Sequence, residues 1–251
     1  MAAVTKNWKR LVAVGCTHGD CIQPSMRRFV LDFCQNYSPK FRVDLGDLID
    51  TASFRAGAGG TADEGRSIYP DLEAAKSWIT DYKPTHITWG NHDQRLWDSL
   101  VHPNAKIRFA AQEIITDLES VVDKVKAKTY PYTIGENHFK LGGHTFLHGF
   151  IYSANALRDT AYTHCSQVVM AHLHSPKQEA IPMVEEGDSF CVGTLSDRAA
   201  MTYAHRRHKT LSWGHGLVFG EVAETKTGGQ SRLWLLKSRD GELPQIPFNI
   251  K

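Results

Sequence analysis

Five times along this chain a short apolar run stops abruptly on side chains that hold cations or move protons. Val12-Ala13-Val14-Gly15 runs into Cys16-Thr17-His18, and Val43-Asp44-Leu45 into Gly46-Asp47-Leu48-Ile49-Asp50. Ile87-Thr88-Trp89 ends on Gly90-Asn91-His92-Asp93, Thr145-Phe146-Leu147 on His148-Gly149, and Val168-Val169-Met170-Ala171 on His172-Leu173-His174. Short apolar runs bounded in this way read as buried strands. In open α/β sheets, ligands gather beyond the carboxyl ends of the strands. Five such ends aimed at one crevice place imidazoles, carboxylates, a thiol and an amide side by side. Residues at i and i+2 of an extended chain point the same way, so strand alternation is expected to deliver Cys16 and His18 together.

Between these runs the periodicity predicts helices over 24–37, 71–82, 93–100, 107–128 and 154–163, with strands over 9–15, 41–45 and 86–89. Residues 130–150 read as strand, turn, strand, turn, strand, with Gly135-Glu136-Asn137 and Gly142-Gly143 as the turns. Beyond residue 167 the chain reads mainly as β, with a helical interlude over 195–205 and closing strands over 217–222 and 232–236. Residues 51–70, rich in Gly, Ala and Thr without a period, read as a cap or lid insertion. The first half alternates β and α and the second is richer in hairpins. There is no internal repeat or low-complexity linker. One α/β domain of two packed sheets over 1–251 is the expected organisation.

With 251 residues, 41% of them hydrophobic and 22% charged, the chain has the composition of a soluble globular protein. Its net charge of +2 is mild for a chain whose main task is gripping duplex DNA by its phosphates. The run His205-Arg206-Arg207-His208-Lys209 reads as a solvated face rather than a nucleic-acid contact. The five cysteines form no C-x-x-C pair, and the first residues lack the apolar core of a secretory signal. No run approaches the roughly 18 apolar residues of a membrane span. The expected setting is a reducing cytoplasm with free thiols and no membrane partner.

Neutral histidines gathered around Asp47 are best held by cations, and mixed N and O donors suit first-row divalent metals better than Mg²⁺ or Ca²⁺. The ligand-type positions Cys16, His18, Asp47, Asn91, His148, His172 and His174 exceed what one tetrahedral site needs. We therefore read two metals, about 3.5–4 Å apart, which suits displacement at phosphorus.

In order, C-T-H, GDLID, GNHD, HG and AHLH resemble the signature blocks of the calcineurin-like metallophosphoesterases, D-x-H, G-D-x-x-D, G-N-H-D/E, G-H and G-H-x-H. GNHDQRL and the segment leading into AHLH also resemble phage-borne members. The blocks span residues 16–174. The resemblance implies a four-layer αββα sandwich of two mixed β-sheets flanked by helices. It also implies a dinuclear centre that hydrolyses phosphate esters with a metal-bridging hydroxide. By the same resemblance, one metal would take Cys16, His18, Asp47 and His174; the second would share Asp47 and take Asn91, His148 and His172. His92 would stabilise the phosphoryl oxygens or protonate the leaving group, and Asp50 would orient it.

This chain departs from the family at Ala171, which replaces a glycine, at His148, which follows a leucine, and at Cys16, which replaces the first aspartate. A thiolate keeps the negative charge and binds Zn²⁺ at about 2.3 Å. It shifts the expected metals from the general set of Zn, Mn or Fe toward Zn or Fe at that site. Arg95 and Asn91, with His92, are candidates for meeting the substrate phosphate, and surface solvation is the competing reading for Arg95. Asp93 reads equally as a capping carboxylate. Phe54 and Arg55 read as exposed loop residues rather than the lining of a substrate cap, Trp78, Trp89 and Trp97 as core rather than base-stacking platforms, and Cys165 and Cys191 as packing residues. Two other functions stay open: a nuclease, with nucleic acid only as substrate, and a scaffold with a degraded metal site, as in the retromer subunit that resembles this family. Oligomeric state is not legible.

Overall fold

The computed structural model describes residues 7–135, 138–182, 187–201, 212–225 and 228–238. Strand β1 (Lys9–Val14) sets the layers, because alternate side chains of a strand leave opposite faces. Val12 and Val14 pack into one core with helices α1 (Pro24–Tyr37), α2 (Tyr69–Tyr82) and α4 (Ala105–Val125). Leu11 and Ala13 face the other way, into a core shared with a second sheet.

The first sheet continues from β1 through the parallel strands β2 (Phe41–Asp44), β3 (His86–Thr88) and β4 (Lys128–Tyr130). On its other side β1 pairs antiparallel with β10 (Gly216–Thr225), which pairs with β11 (Gly228–Lys237). The second sheet has β6 (His144–Leu147), β7 (Gln167–Met170) and β9 (Asp188–Cys191) running parallel. Antiparallel edges β5 (Phe139–Leu141) and β8 (Lys177–Ala180) close it, in the order β5-β6-β7-β9-β8. Helix α5 (Ala156–His164) covers its outer face, Leu157 and Ala161 packing on Leu147, Val168 and Met170. Helices, sheet, sheet and helix make the expected four-layer αββα sandwich.

Helix α1 shows how local signals place a layer. Pro24 occupies its first turn, where the missing N–H costs nothing. Met26, Val30, Phe33, Cys34 and Tyr37 recur at helical spacing and are buried. Each large apolar side chain so buried contributes about 1.5–3 kcal/mol. The helix ends where Ser38, left-handed at φ 50°, donates its N–H to the Cys34 carbonyl.

Three expectations need correction. β4 does not form a hairpin with β5: it lies parallel to β3 in the first sheet, and only Gly142-Gly143 joins a hairpin, β5 to β6. A short strand signal carries no information about which sheet completes its hydrogen bonds. The interlude at 195–205 is a single 3₁₀ turn, Arg198–Ala200, within its described part; 202–205 and the basic run at 205–209 lie outside the described residues, as do 136–137 of the first turn. Cys165 is exposed rather than packed, since it caps α5 in a left-handed conformation, whereas Cys191 is buried. The five cysteines are free, and no described helix is long and apolar enough to cross a membrane.

Helix α3 (Asn91–Ser99) begins directly after β3 and brings Asn91 and His92 to the strand ends. Of the 51–70 stretch, residues 69–70 already open α2, and 51–68 form a 3₁₀ turn at Ala52–Phe54 followed by further turns, tied internally by Arg55 to Asp63 at 2.7 Å and by the Gly60 N–H to Glu64 at 2.8 Å.

Candidate metal centre

Beyond the strands the backbone abandons the extended form. Cys16 (φ 56°), His18 (φ 51°), Asp47 (φ 53°), His172 (φ 65°) and His174 (φ 57°) are all left-handed. Non-glycine residues pay about 1–2 kcal/mol for this, and such strain is characteristic of functional sites. Cys16 and His18 therefore meet through left-handed turns, and strand alternation, which ends at Val14, is not the cause. The two loops are laced together by N–H donation from Cys16 to the Gly46 carbonyl and from His18 to the Asp47 carbonyl, both at 2.8 Å. Gly46 is needed for close approach: a Cβ there would fall 2.4 Å from the Gly90 nitrogen. The unusual Ala171 is accommodated by Gly15, whose Cβ would stand 2.9 Å from the Ala171 methyl.

The seven candidate ligands converge. Ligand atoms of Cys16, His18, Asp47 and His174 lie within 4.8 Å of one another, all four residues buried. His18 Nε2 is 3.1 Å from His174 Nε2 and 3.6 Å from Asp47 Oδ2. Asp47 Oδ2 is also 3.2 Å from His148 Nε2, which lies 3.1 Å from Asn91 Oδ1. His172 Nδ1 approaches that same Asn91 oxygen at 3.0 Å and His148 Nε2 at 3.3 Å. Asp47 thus stands between two groups of donors.

The outer hydrogen bonds decide where lone pairs point. His18 Nδ1 faces Asp50 Oδ1 at 3.1 Å, and a carboxylate only accepts, so Nδ1 carries the proton and Nε2 a lone pair. His148 Nδ1 likewise donates to the Leu45 carbonyl at 2.7 Å. Its Nε2 then faces the Asp47 carboxylate, acceptor against acceptor, a gap that only a proton or a cation can fill. His174 Nδ1 is buried with no hydrogen-bond partner among the described residues. Orientation of ligating imidazoles by carboxylates and carbonyls is the usual outer shell of a metal site. The donor set fits divalent cations.

Electrostatics agree with that geometry. Burial, reinforced by neighbouring imidazoles, lowers the pKa of His18, pushes His172 down to about 4 and holds His174 well below the ordinary histidine value. Neutral imidazole is the ligating form. At His148 burial works the same way, but the charge and hydrogen bond of Asp47 outweigh it and raise the pKa. Burial would raise Asp47, yet His148, His92 and His18 outweigh it and keep the carboxyl well below its usual range. Burial, then the Asp47 charge, raises the Cys16 thiol well above its usual value. A cation reverses that balance by stabilising the thiolate.

Asp50 joins two rings. Its Oδ1 is 3.0 Å from His92 Nδ1 as well as 3.1 Å from His18 Nδ1, and its backbone carbonyl is 2.9 Å from His92 Nδ1. Arg95 is half-buried, with one amino group on the Asp50 carbonyl at 2.9 Å, so neither solvation nor a free approach to phosphate describes it alone. Asp93 is the loop's organiser: its carboxylate accepts the N–H groups of Asp47, Leu48, Ile49 and Gly90 at 2.8–3.1 Å. Phe54 packs partly buried on the helical core, as Trp97 does, while Trp78 and Trp89 are buried in it.

Three contributors escaped the sequence reading. Asp71 accepts the N–H groups of Asp50 and Thr51 at 2.9 and 2.8 Å, and burial pushes its carboxyl up to about 7. Its position at a helix start was the only signal. Arg66, from the Gly-rich insertion, reaches Asp50 Oδ2 at 3.2 Å and also pairs with Asp20. Trp213 sets its ring 4.1 Å from that of His174. Neither position stands in any motif.

An αββα sandwich with a buried His, Asp and Cys cluster able to hold cations, bordered by the partly buried Asn91, is the class that this fold and site define. No family model and no curated protein matches the sequence. Solved structures similar in fold include Vps29 from Chaetomium thermophilum, 11% identical, covering 91% of this chain and 96% of that one, with a TM-score of 0.41. The calcineurin-like phosphoesterase YfkN from Bacillus subtilis is 9% identical, with 98% and 95% covered and a TM-score of 0.41. The phosphoesterase Yfce from E. coli is 14% identical, with 84% and 91% covered and a TM-score of 0.39. At such identities the chemistry rests on the residues themselves.

Proposed function

We propose that this protein is a metal-dependent phosphoesterase, with Cys16, His18, Asp47 and His174 holding one divalent cation and Asp47, Asn91, His148 and His172 a second. The observation that supports this most is the pair of donor clusters on either side of Asp47, with His18 and His148 each turned by an outer hydrogen bond. When bound, two cations supply Lewis acidity toward phosphoryl oxygens and lower the pKa of water toward neutrality. Cys16 favours Zn or Fe over Mn at its site.

The remaining roles belong to side chains of this chain. His92 sits in the first turn of α3, its backbone N–H donating to Asp47 Oδ1 at 2.8 Å. With Nδ1 committed to Asp50, its Nε2 is the atom that stabilises a phosphoryl oxygen or gives the leaving alcohol its proton. The Asp50 carboxylate supports the doubly protonated ring, the form in which Nε2 can donate, and Arg66 and Asp71 keep Asp50 in place. Arg95 and Asn91 border the position of the phosphoryl group.

The test is turnover of p-nitrophenyl phosphate and bis(p-nitrophenyl) phosphate by protein loaded with Zn²⁺, Mn²⁺ or Fe²⁺, with metal content measured alongside. Turnover that chelation abolishes and metal restores supports the reading. Folded, metal-loaded protein that hydrolyses neither ester overturns it.

A further inference from the structure

We propose that the groove beside the metal centre receives the organic group of a phosphodiester, and that a nucleoside is the group it fits; this rests on the phosphoesterase reading. The groove has a volume of about 670 Å³ and lies between residues 53–64 and the α3–α4 corner. Helix α3 joins it to the centre through Arg95, which lines the groove and shares the Asp50 carbonyl with His92. His92 stands in the cluster, while Arg95 and Ser99, at i+3 and i+7 on the same helical face, and then His102 line the groove.

Arg95 is the shared wall. Its one amino group is held on the same Asp50 carbonyl that meets His92 Nδ1. Nε and the second amino group have no hydrogen-bond partner among the described residues and remain for an ester or sugar oxygen. Phe54, Ala56 and Ile107 supply apolar surface beside the Ser99 hydroxyl, the Arg95 guanidinium, the His102 imidazole and the Glu64 and Asp98 carboxylates. Apolar walls with a few fixed polar groups are what a small organic ligand requires, and a flat ring with polar edges satisfies both. The Arg55–Asp63 pair holds the loop wall in shape before any ligand arrives. A phosphomonoester with a small alcohol leaves this space unused.

The experiment compares two diesters with one leaving group on Mn²⁺-loaded full-length protein: the p-nitrophenyl ester of thymidylate and methyl p-nitrophenyl phosphate. Ala56 is exposed and outside the catalytic machinery, so Ala56→Trp fills the groove without touching the centre, and a thermal melt confirms its fold. Stacking of one base predicts a KM about tenfold lower for the thymidylate ester in the wild type. In A56W that advantage disappears while the methyl ester keeps its KM. Equal KM values in the wild type, or an advantage that survives A56W, overturn the proposal. Calorimetric titration of thymidylate, with inorganic phosphate as control, separates the two readings should neither ester turn over. Thymidylate binding weakened about tenfold by A56W with phosphate unchanged supports the groove alone; binding that is absent or indifferent to A56W removes it.

Discussion

His18 Nδ1 lies 3.1 Å from Asp50 Oδ1, and that one contact turns the other nitrogen of the ring toward Asp47 and His174. Asp50 is therefore an orienting residue for the centre as well as for His92. Asp50→Asn should lower divalent metal affinity by about 10–100-fold, the usual effect of losing an outer carboxylate. Competition titration with a chelating dye measures it. Unchanged affinity would show that His18 keeps its tautomer without Asp50.

His92→Ala should leave two bound metal equivalents in place and cut kcat by about 10²–10⁴-fold, the contribution of a positioned proton donor. Steady-state kinetics with parallel metal analysis reads both. A loss of metal would make His92 a ligand instead.

Cys16 is buried beside Asp47 and close to His18 and His174. Loaded with Co²⁺, the wild type should show a near-ultraviolet sulfur-to-metal charge-transfer band, absent in Cys16→Ser and in Cys16→Asp. Cys16→Asp should also shift preference from Zn²⁺ toward Mn²⁺, as oxygen replaces sulfur. An identical spectrum in Cys16→Ser would remove sulfur from the shell.

Asp93→Ala deletes a buried carboxylate that accepts four backbone N–H groups. Buried donors left unmatched cost about 1–3 kcal/mol each before relaxation, so a loss of at least about 3 kcal/mol is expected. Urea denaturation of the metal-free form measures it. A loss below about 1 kcal/mol would mean that water replaces the carboxylate.

Acid should destabilise the metal-free protein. Burial lowers His172 and His86 to about 4, His172 with help from the His148 charge and His86 from Lys128. A histidine whose folded pKa is depressed binds fewer protons folded than unfolded, so its contribution falls as pH drops from about 6.5 to about 4. Burial raises Asp44 and Asp71 to about 7 and Asp93 to about 6, and the Asp47 charge raises His148 against its burial, all of which give the opposite slope. The depressed histidines, with His18, His138, His144, His164 and His174 added, outnumber the raised groups. The melting temperature should therefore fall on acidification through this window, and more steeply with metal present, since protons and cations compete for the same nitrogens. Melting curves at fixed ionic strength, with and without Zn²⁺, test both slopes.

Local physics was legible because it repeats within a few residues. The spacing of Met26, Val30, Phe33 and Tyr37 marks α1, and the apolar runs before Cys16, Asp47, Asn91, His148 and His172 mark the strand ends that meet. The candidate ligands were readable for the same reason: all seven stand within four residues of the ends of five strands, β1, β2, β3, β6 and β7.

What the sequence alone determined is the type of most elements, the interlude at 195–205 excepted, and the kind of side chain at each strand end, since both follow from neighbours in the chain. Tertiary structure decided which sheet took β4, that Asp93 would lace two loops, and that Arg66 and Asp71 would secure Asp50. It also required left-handed backbone at Cys16 and His18. The physical reason is that a carboxylate's or guanidinium's role depends on which unpaired groups it meets after burial. Those partners come from distant segments that carry no local mark of one another.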